Sequence, residues 1–424
     1  MPETITRAFQ IKSIRNRILF VVAMLCVFRF AAHIPLPGVD VNALKNFFAN
    51  NQLLGMLNLL SGGAMSNFSI ITLGLGPYIT ASIIIQLLTM IIPSLGELAQ
   101  EGQRGQQKIN QYTNFVTIPL AILQSYGMIR LLQSGGTSLI GELKGLSLIT
   151  AISTMTAGTM FLVWLGELIT EKRIGNGVSL LILAGIVERL PISLQQSILT
   201  FTSSQIITYI VFILVAILTI VGVVYLTEGE RNIPISYARR IRGNRMYGGT
   251  DTYLPLRVNP VGMIPIIFAM AIVLIPGFIG QFLSRAASPV IANFGQGLAN
   301  LFQNQIIYGL VYFALVFAFT YFYTSIVFHP DQISENLQRS GGFIPGIRPG
   351  EPTTKYLHST LQHILLFGAL SLGIIAVLPI IVQGIFHITA FTVGGASVLI
   401  VVSVILETME QIKSQIAVYE YEGK

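Results

Sequence analysis

Uncharged runs of about twenty residues recur along the 424-residue chain, separated by short polar, glycine- or proline-bearing stretches. Crossing ~30 Å of hydrocarbon takes about 20 residues of α-helix, so such runs predict membrane spans rather than soluble core elements. Ten are predicted, over residues 18–34, 75–92, 112–133, 147–170, 174–190, 205–226, 258–280, 305–328, 360–382 and 389–408. The expected fold is therefore an all-α integral membrane protein.

Two spans are irregular. The fifth opens "RIGNGVSLLILAGIV", where Gly175 and Gly177 weaken the first turn. The second is preceded by an apolar piece from Leu53 to Met65, too short to cross, then by a hinge formed by Gly74, Gly76 and Pro77. A short apolar piece flanked by glycines predicts a re-entrant segment, because non-helical backbone survives at membrane depth only where protein or a water-filled cavity shelters it. Leu53, Leu54, Met56, Leu57, Leu59 and Leu60 would equally suit a helix lying on the membrane surface.

Ten spans divide into five and five, which places successive halves in opposite orientations, as in inverted-repeat transport proteins. The corresponding boundaries are an N-terminal half at 1–190, an external connection at 191–204, a C-terminal half at 205–410 with polar loops at 227–257 and 328–357, and a tail at 411–424. The support is arithmetic, since the halves share no evident residue-level similarity.

Composition agrees with the pattern: 53% of residues are hydrophobic and 10% charged, with mean hydropathy +0.71. The net charge of +7 could point to nucleic acid. Its placement argues otherwise, for with both termini on one side, 19 of the 25 Lys and Arg fall on that side. Positive charge is retained in cytoplasmic loops, so both termini are expected in the cytoplasm. Arg7, Lys12, Arg15 and Arg17 before the first apolar run superficially resemble a secretory signal. That run is of full span length and lacks a small-residue cleavage site, so it is expected to remain as the first helix. The single cysteine, Cys26, excludes an intramolecular disulfide and a cysteine metal cluster.

The missing chemistry is informative. Transporters and intramembrane enzymes keep ionisable groups near the midplane, where a charge costs at least ~2.5 kcal/mol and is retained for function. The runs at 205–226, 258–280 and 305–328 hold no Asp, Glu, Lys or His between their ends. Glu167, Glu188 and Glu407 fall at helix ends, and His33, His363 and His387 lack metal-ligand spacing. Without a GxxxxGK[ST], HExxH or GxSxG motif, no enzymatic activity, metal or cofactor is expected, and driving energy must come from a partner.

Polar residues concentrate in the two long loops. One interleaves six arginines with Tyr237, Tyr247 and Tyr253, and Arg239, Arg240, Arg242 and Arg245 crowd its tip. Guanidinium groups pair bidentately with phosphate and stack on bases, so the cluster suits a nucleic-acid backbone; ordinary positive-inside charge or anionic lipid accounts for it equally well. The other loop carries "FIPGIRPGEPTTKY", whose prolines and glycines preset turns around Arg348.

Several segments, taken in order, resemble the SecY family of protein-translocation channel subunits: "LPGVD", "LSGGAMSNFSIITLGLGPYITASIIIQLL", "EGQRGQQKINQYT", "GELITEKRIGNGVSLLILAGIV", "YLPLRVNPVGMIPIIFA", "SENLQRSGGFIPGIRPGEPTTKYL" and "GGASVLIVVSVILETMEQI". The resemblance covers essentially the whole chain. It implies ten transmembrane helices in two pseudo-symmetric five-helix halves around an hourglass pore that opens across the membrane for secreted chains and sideways for membrane segments. It places a plug at about 57–69, including Leu57, Leu60, Gly62, Gly63 and Met65. It maps an aliphatic pore ring onto Leu75, Ile79, Val178, Ile182, Ile267 and Ile400, with Leu and Val where isoleucine is common. It sets a lateral gate between spans 2–3 and 7–8, with Thr80 and Ile275 facing and Gln86 and Gln124 adding polar contacts. The implied partners are the SecE and SecG membrane subunits, the SecA ATPase, the ribosome with its RNA, signal peptides and preproteins, and membrane lipids. Arg348 would meet the motor, and Arg239, Arg240, Arg242 and Arg245 ribosomal RNA.

Aliphatic side chains offer water and ions no hydrogen-bond partner, so a narrow ring of them dewets and resists leakage, yet yields to a passing chain of any sequence. That accounts for the missing midplane charges. The remaining rival is a secondary transporter of a small solute, which would need a discrete polar site at the midplane.

Overall fold

The computed structural model describes residues 2–36, 61, 64–65, 67–133, 145–199, 206–237, 240–242, 245–247, 252–284, 288–386 and 394–421. Every expected run falls on a helix. These are α2 (Lys12–Ala32), α3 (Gly76–Ile91), α5 (Gln103–Gln133), α6 (Leu146–Glu171), α7 (Gly177–Leu199), α8 (Ile206–Glu228), α9 (Ile264–Leu283), α11 (Gln305–Val327), α13 (Glu351–Phe386) and α14 (Gly394–Tyr421). Shorter helices join them: α1 (Pro2–Gln10), α4 (Pro93–Gln100), α10 (Pro289–Gln303) and α12 (Pro330–Arg339). Among the described residues five helices meet a strict length-and-apolarity criterion for crossing a membrane, and a sixth does if α3 and α4, bent by 104° at Ile92, are taken together.

Several helices outrun their apolar stretches. α5 begins at Gln103, α13 at Glu351, and α14 continues to Tyr421. Their added turns are polar, so hydropathy is blind to them, although backbone hydrogen bonding continues unbroken. α7 passes through Pro191 and stays helical to Leu199, across much of the expected connection at 191–204. The seventh run starts late: Val258–Met263 form turns, with Gly262 at φ +66°, before α9 opens at Ile264 with Pro265 in its first turn. Proline is tolerated there because the first amides of a helix have no intrahelical partner.

Packing sorts the long helices into two groups. In the first, α6 contacts α2, α3, α5 and α7, and α3 packs on α5. In the second, α13 contacts α8, α11 and α14, and α11 packs on α9. The groups meet along two seams: α9 against α3 and α5, and α14 against α2 and α7. Polar contacts tie the α14 seam: Arg17 donates to Gln415 Oε1 at 2.9 Å and Gln415 donates to the Arg173 carbonyl, while within the second group Arg257 pairs with Glu410 at 2.7 Å.

The first polar loop contains strands. β1 (Glu230–Tyr237) pairs antiparallel with β4 (Thr252–Arg257), and β2 (Arg240–Arg242) pairs with β3 (Arg245–Tyr247). A two-residue strand from the second loop, β5 (Gly342–Phe343), adds to the free edge of β1, giving the order β4-β1-β5. Ile233 and Ile235 alternate with exposed neighbours, the period of a strand with one buried face. Ile233, Leu256, Ile344 and Leu357 form a small core beneath this sheet.

Candidate functional site

Five of the six expected ring residues are buried: Leu75, Ile79, Ile182, Ile267 and Ile400 are each 5% exposed or less. All five lie in one apolar cluster, and Val178 is partly buried against it. They come from four places: Leu75 and Ile79 from the start of α3, Val178 and Ile182 from α7, Ile267 from α9 and Ile400 from α14. Leu75 is the residue preceding α3 rather than part of a span. The cluster thus draws on both helix groups and both seams; its aliphatic side chains are joined by aromatic ones such as Phe28, Phe268 and Tyr312.

Of the expected plug, Leu57, Leu60, Gly62 and Gly63 lie outside the described residues. Met65 is buried at 2%, in a second cluster with Phe68, Leu73, Met128 and Met155. Ala64, one residue earlier, joins the ring residues instead. Sequence reasoning did not single out Ala64, because an alanine carries no periodic signal. The Ser61–Leu75 region is held by side-chain and backbone bonds: Met65 N–H donates to Ser61 Oγ at 3.2 Å, Ser69 Oγ to the Ala64 carbonyl, and Leu36 N–H to the Phe68 carbonyl at 2.9 Å. Gly74 sits at φ +57° with the Ser61 backbone 2.4 Å from where a Cβ would lie. Only glycine allows both that conformation and that approach.

The four expected gate residues divide. Thr80 donates to the Gly76 carbonyl in its own helix at 3.0 Å, and Gln86 donates to Ser82 at 3.2 Å while also reaching Tyr323 of α11. Gln124 on α5 lies 3.8 Å from the Cβ position of Gly76, so it faces the start of α3. Ile275 is 39% exposed and outside the buried cluster, in which its neighbours Val273 and Leu274 take part. Phe268, not singled out from sequence, sits edge-on to both Phe319 and Tyr323 at 6.0 Å, joining α9 to α11.

Arg348 is exposed in the turn between β5 and α13, and among the described residues its guanidinium has no ion-pair or hydrogen-bond partner. Its backbone is fixed. Gly346 and Gly350 flank it at φ +84° and +97°, the Arg348 carbonyl accepts from Thr353 Oγ1 at 2.9 Å, and the Gly350 carbonyl accepts from Ser334 Oγ at 2.9 Å. One residue beyond the positive-φ Gly350, α13 begins with Glu351, which pairs with Lys355 at 2.8 Å. That pairing lowers the Glu351 carboxyl below its usual range and raises the Lys355 amine. In the other loop, Arg239 lies outside the described residues. Antiparallel register sets Arg240 opposite Tyr247 and Arg242 opposite Arg245.

No group of three or more His, Cys, Asp or Glu able to hold a metal occurs among the described residues. What the architecture offers is a buried apolar core where two helix bundles meet and a built loop platform at one end of the second bundle.

The family model described as SecY matches residues 69–409. Among curated relatives, the protein translocase subunit SecY of Corynebacterium glutamicum is 42% identical over 439 residues, covering 99% of both chains. That of Thermotoga maritima is 41% identical, covering 100% of this chain and 97% of its own. Among solved structures, a protein-conducting channel aligns over 93% of this chain and 91% of its own with TM-score 0.63 at 19% identity. A SecY whose plug domain is described as stabilising the closed state aligns with TM-score 0.66 at 20% identity, with the same coverage. Sec61 in a canine ribosome–channel complex gives TM-score 0.63 at 17% identity, again over 93% and 91% of the two chains. A two-bundle helical fold, a family model matching residues 69–409 and near-full-length identity above 40% agree: the chain belongs to the SecY family.

Proposed function

We propose that this channel passes unfolded secretory polypeptides across the bacterial cytoplasmic membrane and releases hydrophobic segments sideways between α3/α5 and α9/α11. As a SecY-family member the chain is a protein-conducting translocation channel subunit; the solute-transporter rival gains no support. In the proposed topology ten helices cross the membrane with both termini in the cytoplasm, so the β4-β1-β5 sheet and Arg348 face the cytoplasm. Leu75, Ile79, Val178, Ile182, Ile267 and Ile400 form the seal, and the segment from about 57 to 69 stoppers it. Thr80, Gln86, Gln124 and Ile275 border the lateral opening.

The observation that carries the seal is the convergence of five of these positions, from both bundles, in one apolar cluster that includes Ala64 of the stopper segment, with Val178 packed against it. In so narrow an aliphatic collar a water molecule finds no partner, and ions cannot shed their hydration.

SecE and SecG would complete the membrane complex, with SecA or a translating ribosome supplying the drive. Arg348 is the proposed motor contact: it is exposed, unpaired among the described residues and held on a rigid turn. Preorganised in this way, an arginine loses little entropy on docking. Arg239, Arg240, Arg242 and Arg245 would meet ribosomal RNA phosphates. Proteoliposomes test the reading. Import of a signal-bearing preprotein that requires SecA and ATP is the expected result, whereas solute uptake without either partner would overturn it.

A further inference from the structure

The 15-residue helix α10 is too short to cross a membrane, and it carries no charged residue. Its two faces differ sharply. Gly295 and Ala299 are buried, and Phe302 packs partly buried against the main apolar cluster. Val290, Phe294, Gly297 and Leu301 recur at helical spacing on the opposite side; Val290 is 78% and Phe294 66% exposed.

The buried side is fitted to α9 at backbone distance. A Cβ on Gly295 would lie 2.3 Å from Ser284 N and 2.5 Å from the Leu283 carbonyl carbon, and one on Gly280 would lie 2.7 Å from Ala299 N. At Gly297, on the outer side, a Cβ would meet nothing within 4 Å. Gly295 and Ala299 therefore lie where the helices touch, whereas Gly297 does not.

The outer side continues an apolar surface. Ile275, Ile279 and Phe282 project from the same half of α9, and Ile306 and Leu310 from the start of α11; all are exposed. α9 and α11 are both long and apolar enough to span a bilayer, so the surface that α10 extends is the one they present to lipid.

From these observations we infer that α10 is a membrane-interface helix: its Val290–Phe294–Leu301 face lies among the acyl chains just below the headgroups, and its glycine face locks it to the end of α9. An uncharged helix suits this depth without demanding anionic lipid, since apolar burial alone supplies the binding. The occupant of the face is bilayer lipid, not protein. Through the Gly295–Gly280 contact the leaflet holds the end of a helix that also carries Ile267.

The chain has one tryptophan, Trp164, which makes fluorescence selective. In the full-length protein with W164F, single reporters V290W, F294W and I217W are reconstituted in phosphatidylcholine vesicles brominated at acyl positions 6,7 or 11,12. Ile217 lies midway along α8 and is exposed, so I217W reports whether the spans enter the bilayer at all. The inference expects V290W and F294W to be quenched, more strongly by the 6,7-dibromo lipid than by the 11,12-dibromo lipid, with I217W showing the reverse order. Red-shifted, unquenched emission at 290 and 294 beside a quenched I217W would place α10 in water. Blue-shifted, unquenched emission there would mean a second copy or another protein covers it. Either overturns the inference while leaving the channel reading intact, whereas loss of quenching at I217W would overturn the membrane reading on which both depend.

Discussion

Replacing Ile182 by asparagine should make the resting channel leak ions. Ile182 is 1% exposed within the cluster that holds Ile79, Ile267 and Ile400. Losing that buried side chain removes about 1.5–3 kcal/mol of apolar burial. The new amide, set among aliphatic neighbours, costs a further ~1–3 kcal/mol unless it finds a partner. The dry, closed packing is therefore disfavoured by roughly 2.5–6 kcal/mol, and the nearest relief is water entering beside the amide. If only ~1.4 kcal/mol of this appears as a shift between dry and wet collars, the wet population rises tenfold. The assay is single-channel conductance in planar bilayers, with the helical circular-dichroism spectrum confirming folding and Ile182→Leu as the volume-conserving control. Asparagine should raise open probability at least about tenfold and leucine should leave it near the parent level. Folded Ile182→Asn protein with unchanged conductance would refute the assignment of Ile182 to the seal, and parallel changes at Ile79 and Ile400 would show whether the whole ring fails with it.

Other consequences are checked separately. Gly295→Leu should lower thermal stability through overpacking against α9, by about 1–3 kcal/mol, while Gly297→Leu on the open face should leave the midpoint near its parent value; equal effects would contradict the close contact. Arg348→Glu should abolish SecA-stimulated transport while leaving the fold intact, and Arg348→Lys should restore only part of it, because a lysine keeps charge but not the planar fork. Glu351 has a lowered carboxyl pKa owing to Lys355, so its pairing contributes above the ordinary carboxylate range and disappears as pH falls through the lowered value. Glu351→Gln should accordingly speed amide exchange in the first turn of α13 at neutral pH and make no difference at about pH 2, where a protonated Glu351 is as uncharged as the glutamine.

How much of this is legible in sequence differs by element. The ten apolar runs locate the long helices because hydrocarbon demands uninterrupted apolarity. They misplace the ends, since Gln103–Gln111 and Glu351–Ser359 are helical on hydrogen bonding that hydropathy does not register. The β1–β4 pair was present as alternation, Ile233 and Ile235 in one strand and Leu254 and Leu256 in the other, with Ile233 set opposite Leu254, but short strands among arginines read as loop. No local pattern announces that Gly342–Phe343 will add to β1, for that pairing joins segments more than a hundred residues apart. The ring positions are invisible to periodicity, being aliphatic residues in aliphatic helices, and only family motifs single them out. The structure adds that they share one cluster, that Ala64 joins them, and that Ile275 stays outside it. α10 escaped because a 15-residue apolar helix is too short to count as a span, and its glycines matter only through contacts with α9.

The most direct test is translocation itself. The purified chain, together with the proposed SecE and SecG subunits, is placed in liposomes and supplied with SecA, ATP and a signal-bearing preprotein. Full-length preprotein protected from external protease, and lost when ATP or the signal is omitted, is the predicted result. Preprotein that remains fully protease-accessible with every component present, in vesicles whose channel is shown to be folded and inserted, would contradict it.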